Sequence, residues 1–148
     1  MAISPNDNFI AGQILTAVEC NQFPRGVMAY GQSTTDITFL SETSIITLAA
    51  FTAVANRYYR ITFFQPAMDN LSPGYAVMKI KNGATVLNSC NAQQYSAGTG
   101  YEGICVAVST FAAGSVAITG TLTSTTTGST NNTSTQYGFL LVEDIGPA

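Results

Sequence analysis

Short runs of alternating apolar and polar residues recur along the whole chain, each closed by a cluster of Gly, Pro, Asn or Ser. Period-two alternation between such clusters is the pattern of half-buried β-strands. The runs fall at 27–31, 36–40, 43–48, 50–55, 57–65, 75–81, 84–90, 101–110, 115–124 and 136–144. Many short strands at regular spacing predict an all-β fold, an antiparallel jelly-roll sandwich rather than a parallel sheet. Asn82-Gly83 is the strongest turn signal, because both central positions of a type I′ turn need positive φ. It predicts a hairpin over 75–90, and Ala112-Ala113-Gly114 is expected to join the next two long strands into another.

Alternation also assigns faces. Ala76, Met78 and Ile80 form one row, opposed by Val77, Lys79 and Lys81. Val116, Ile118 and Leu122 form another, and Ile104, Val106 and Val108 a third, opposite Cys105 and Ala107. Each apolar row is expected to face a core. Two strands are apolar on both faces. The run 57–65 carries Tyr59, Ile61 and Phe63 on one side and Tyr58 and Phe64 on the other. In the last run, Tyr137, Phe139 and Leu141 oppose Leu140 and Val142. A second apolar face is explained either by cover from another layer or by a subunit interface. The interface reading assigns Tyr58, Phe64, Leu140 and Val142 to contacts between copies of the chain.

Ahead of the strands, Thr16 followed by Glu19 fits a capping box and predicts a helix over about 17–22, ending before Pro24. The organisation read from this is an N-terminal arm and short helix over 1–26, then a β domain over 27–148. The segment 123–136 is almost pure Ser, Thr, Asn and Gly, and is expected to be a long loop too polar to pack.

Composition decides what such a domain can do. Only 9% of residues are charged, and histidine is absent. A soluble domain averages about 25% charge, so much of this surface is expected to lie against copies of itself or a neighbouring assembly. The five Lys and Arg are too scattered to track a phosphate backbone, which argues against nucleic acid. The longest apolar-leaning run, 45–55, is too short to span a bilayer, and no signal-peptide pattern opens the sequence. Without histidine the usual general base and the commonest metal ligand are missing. Cys20, Cys90 and Cys105 match neither a zinc pattern nor a closed disulfide framework, and read as reduced apolar filler. The carboxylates are spread out, and the adjacent Glu143 and Asp144 should point to opposite faces of a strand. Asp69-Asn70 reads as a solvated turn rather than a calcium site. No enzyme activity, cofactor or metal is expected.

The ends of the chain add a resemblance. Gly12-Gln-Ile-Leu-Thr-Ala17 with Asn21 resembles the G-x-x-L-T-A-x-x-x-N opening of small virion proteins of tailed bacteriophages. Phe51-Thr-Ala53, Asn56-Arg-Tyr-Tyr-Arg-Ile61 and Phe139-Leu-Leu-Val-Glu-Asp-Ile-Gly-Pro147 are similar to that group too, so the likeness spans the chain. It implies a homotrimeric jelly roll on a phage particle, made in the bacterial cytoplasm and bound to the major capsid protein or other virion proteins. A head decoration (cement) protein is the favoured form, since the sequence holds no repetitive stalk. The alternative is a minor tail or fibre-tip protein binding a host-surface receptor such as a glycan. Ile14, Leu15 and Val18, in the arm and helix, are assigned to particle attachment.

Overall fold

A computed structural model describes the chain from Ile14 onward, except Leu15, Gln22 and Thr99. In chain order the elements are α1 (Ala17–Cys20), β1 (Gly26–Ser33), β2 (Thr38–Phe39), β3 (Thr43–Thr47), β4 (Phe51–Ala53), β5 (Arg57–Asn70) and β6 (Gly74–Asn82). They continue with β7 (Thr85–Gln94), β8 (Tyr101–Thr110), β9 (Gly114–Val116), β10 (Ile118–Ser124), β11 (Gly128–Thr130) and β12 (Gly138–Pro147). The described fold is all-β, and the helix is a single turn closed by bonds from the Cys20 and Asn21 amides to the Thr16 and Ala17 carbonyls. The Glu19 side chain of the expected capping box lies outside the described residues, as does Gln22 at the expected helix end.

Two curled antiparallel sheets face each other. In the first, β1, β12, β5 and β8 lie side by side, and β11 and β2 extend it along the far end of β5. The second runs β3-β10-β6-β7, and β4 pairs with β9 apart from both. Counting only the eight longer strands in chain order, the first sheet reads 1-8-3-6 and the second 2-7-4-5. The sheets meet along both edges. Where β7 approaches β8, the Asn88 amide donates to the Val106 carbonyl (2.6 Å) and the Cys90 thiol to the Ile104 carbonyl (3.1 Å). Where β1 approaches β3, Gly31 leaves room for Leu48, whose Cδ2 would lie 2.8 Å from an added Cβ.

The core is organised on β5, which is paired along both sides. Its inner row, Tyr59, Ile61 and Phe63, is fully buried, as are Ala76, Met78 and Ile80 of β6 and Ile118 and Leu122 of β10. These rows face as alternation predicts. Two others do not. In β8 the small Cys105 and Ala107 turn inward, and Ile104, Val106 and Val108 turn out. The register dictates this: Cys105 pairs with Phe63 and Ala107 with Ile61, and directly paired residues share a face. Space favours it too, because β7 closes against β8 here and Met78 Sδ occupies the place of a Cβ on Gly103. In β12, Leu140 pairs with Phe63 and Val142 with Ile61, and both are completely buried. That corrects their assignment to a subunit interface: they are core residues of the single chain.

Three further expectations change. The β6–β7 hairpin forms, but Asn82 pairs with Thr85, so its turn is Gly83-Ala84. Only Gly83 has positive φ (57°), the pattern of a type II′ turn. Ala112–Gly114 makes no hairpin, because β8 pairs with β5 while β9 and β10 pair with β4, β3 and β6. The chain crosses there from one sheet to the other. The strand begun at Arg57 passes Pro66 at a register irregularity and runs on to Asn70, where a turn was expected.

The polar segment 123–136 also packs. β11 forms within it, and Thr130 and Asn132 are buried. Polar side chains replace apolar contact as the means of fixing it. The buried Gln65 side-chain amide donates to Asn132 Oδ1 and to the Ala67 carbonyl, the Asn132 backbone N–H donates to Asp36 Oδ1 (2.6 Å), and Thr130 Oγ1 accepts from the Ile37 backbone N–H (2.9 Å). Gly128 sits where a Cβ would meet the Phe39 ring at 2.8 Å and Asn70 Oδ1 at 2.3 Å. Gly128→Ala is therefore expected to destabilise the fold by about 1–3 kcal/mol through overpacking, read as a fall in thermal midpoint. An unchanged midpoint would mean that this segment is loose.

Candidate functional site

The register of the first sheet sets a grid of side chains on its outer face. One row crosses Gln32, Phe139, Phe64 and Ile104, and the next crosses Tyr30, Leu141, Thr62 and Val106. A third holds Val27, Glu143, Arg60 and Val108. Apolar side chains dominate, and many are open to solvent: Val27 is 62% exposed, Val108 58%, Ile104 57% and Tyr30 51%. Monomeric proteins seldom leave so continuous an apolar surface wet.

Toward β1 and β12 the face is concave. Tyr30, Phe64, Pro66, Tyr137, Phe139 and Leu141 line a groove of about 510 Å³, with Thr135 and Gln136 on its wall. Its rings are packed: the Phe64 and Phe139 centroids are 5.4 Å apart, and those of Tyr30 and Phe139 6.3 Å. Burial and the neighbouring Tyr137 hydroxyl push the Tyr30 phenol above its ordinary pKa, so it stays neutral. Along β8 the face carries a row of β-branched side chains instead. The charges within the grid, Arg60 and Glu143, neutralise each other at 2.8 Å.

The outer face of the second sheet is different. Lys79 and Lys81 both bond Glu42, and Thr47 and Thr119 lie beside each other at 3.5 Å. The charged side chains Lys79, Lys81 and Glu42 thus mark the second outer face, on which Tyr75 and Val86 are the exposed apolar side chains of β6 and β7.

Tyr58 and Phe64, which the sequence reading assigned to a subunit interface, lie on the outer face of the first sheet, both half-buried. The attachment residues are placed differently. Ile14 is 88% exposed, Leu15 lies outside the described residues, and so does the side chain of Val18. What holds this segment was not recognised from the sequence. Arg57, only 4% exposed, forms a buried salt bridge with Asp144 and donates also to the carbonyls of Asn21 and Phe23. The segment after α1 is therefore bonded to the first residue of β5 and to the end of β12. The available signal was positional: Arg57 and Tyr59 share a strand face, so the charge had to enter the core side.

Burial alone would raise the Asp144 pKa. Bonds from Arg57 and from the Gly146 and Arg25 amides, together with the Arg57 charge, outweigh it and leave the carboxyl below its ordinary value. The Arg57 guanidinium is raised by the same bond to Asp144.

Other candidate chemistry is absorbed into structure. Asp69 Oδ1 and the Asn70 carbonyl accept from the Gln94 amide, while Asn70 Oδ1 accepts from the Tyr101 and Ser124 hydroxyls. Burial pushes the Cys105 thiol up to about 12 and raises Cys90 as well, so neither offers a ready thiolate. Among the described residues no group of three His, Cys, Asp or Glu side chains could hold a metal ion, and no helix is long and apolar enough to cross a membrane. The chain matches no family model and no curated protein.

Losing either partner of the Arg57–Asp144 pair leaves a buried charge uncompensated. Arg57→Ala or Asp144→Ala is expected to cost about 3–5 kcal/mol. Because the folded Asp144 pKa lies below the unfolded value of about 3.9, the stabilisation is complete above that value and lost as pH falls through the folded one. Asp144→Asn should flatten this acid limb in denaturant melts taken from pH 6 to pH 2. An unaltered limb would move the acid sensitivity to another carboxylate.

Proposed function

We propose that the chain is a structural subunit of a tailed-phage particle, built on a jelly roll and assembled as a homotrimer through the outer face of its first sheet. The apolar grid of that face carries the reading. At about 25 cal/mol per Å², covering side chains such as Val108 and Ile104 is the largest gain this surface has to offer. The low charge count points the same way, since surface hidden in an assembly needs little charge. The 1-8-3-6 and 2-7-4-5 strand orders support the jelly roll, the eight-stranded form that closes two sheets over one core.

The phage assignment rests on the sequence resemblance at Gly12–Asn21, Asn56–Ile61 and Phe139–Pro147. The structure gives all three of these segments a physical role. Asn21, Arg57 and Asp144 belong to them, and those three residues meet in the buried cluster that ties the N-terminal segment to the β domain. Capsid decoration is the form proposed, with the N-terminal segment reaching the major capsid protein and the outer face of the second sheet toward solvent. The fold serves as a frame, and no catalytic step is assigned to it.

Light scattering of the purified chain should give about three times its 15.5 kDa mass. Val106→Asp is expected to give a folded monomer, because the changed side chain is on the open face and not in the core. A wild-type monomer at micromolar concentration would sink the proposal. Particle stoichiometry tests location: decoration requires hundreds of copies per virion, and a handful would place the chain at the tail.

A further inference from the structure

The outer face of the first sheet consists of two unlike parts, and their relation specifies how copies would meet. We propose that the β8 row of one copy, Ile104, Val106 and Val108, seats in the groove that Tyr30, Phe64 and Phe139 form on the next copy. This rests on the self-association proposed above and adds which surfaces touch.

A ring of three cannot be made from self-complementary contacts. Each subunit must show one patch to its left neighbour and a different patch to its right. The face supplies two such patches on opposite sides of one sheet: a concave aromatic one at β1 and β12, and an outstanding aliphatic one at β8. Their chemistry matches. The β8 row ends in methyl groups with nothing to hydrogen-bond. The groove presents ring faces, and of its two phenols Tyr30 donates to Gln32 (3.1 Å) and Tyr137 has the Tyr30 hydroxyl beside it. Charge excludes the other broad surface of the molecule as occupant. Seating the second sheet in the groove would strip water from Lys79, Lys81 and Glu42 with no new partners for them. Arg60 and Glu143 lie between the two patches already paired, so an uncharged neighbour can cover them without leaving either alone.

The test uses two variants in a Cys20→Ser background, which removes the exposed native thiol. Val106→Cys and Tyr30→Cys chains are co-expressed with different tags, purified and treated with oxidised glutathione, which takes up the two hydrogens as the disulfide forms. A cross-link joining the two tags, with much less cross-linking in either variant alone, is the expected result. The Cys20→Ser parent should stay uncross-linked, and each variant should keep the light-scattering mass of the wild type. Self-cross-linking of Val106→Cys alone would overturn the proposal in favour of β8 packing on itself. A trimeric mass with no mixed cross-link would overturn it while leaving self-association standing. A monomeric wild type would overturn both.

Discussion

β5 is the strand on which the rest of the molecule depends, because partners are hydrogen-bonded to it on both sides along most of its length. A strand so placed transmits its pleat to its neighbours. Once Tyr59, Ile61 and Phe63 face inward, Leu140 and Val142 of β12 and Cys105 and Ala107 of β8 must follow. The opposite rows are then forced outward whatever their hydrophobicity. The exposed face of Ile104, Val106, Leu141 and Phe139 is thus the same structural fact as the core, seen from the other side.

The buried ion pair at the start of β5 joins this frame to the N-terminal segment. Arg57 could have been matched in volume by an apolar residue, and a buried pair by itself often adds little to stability. What it adds here is connection, since one planar guanidinium bonds Asp144 and the backbone carbonyls of Asn21 and Phe23. At the opposite end of the sandwich, side-chain amides do a related task. Gln65 and Asn70, bonded to Asn132 and Ser124, secure a Thr- and Ser-rich stretch that has few apolar side chains to bury, and Gln94 in turn holds the Asn70 backbone.

Much of the fold was legible because the strands are short, antiparallel and separated by turn residues. The all-β class, the 75–90 hairpin and the buried rows of β6 and β10 follow from period-two alternation alone. In those strands one face is apolar and the other carries Thr or Lys, so only one orientation hides the apolar row. The same rule failed in β8 and β12, where both orientations bury something apolar and alternation has no preference. It failed again at 123–136, because polarity excludes apolar packing but not burial by hydrogen bonding.

The sequence by itself determined the class of fold, the scarcity of charge and the presence of strands with too many apolar faces for one core. Each follows from side-chain chemistry and local spacing, which need no knowledge of neighbours. Only the tertiary structure decided which of those faces remained outside. That choice depends on register across strands distant in sequence and on the room left where β7 closes against β8. Small Cys105 and Ala107 fit that narrow edge, and the larger Ile104, Val106 and Val108 were left on the surface.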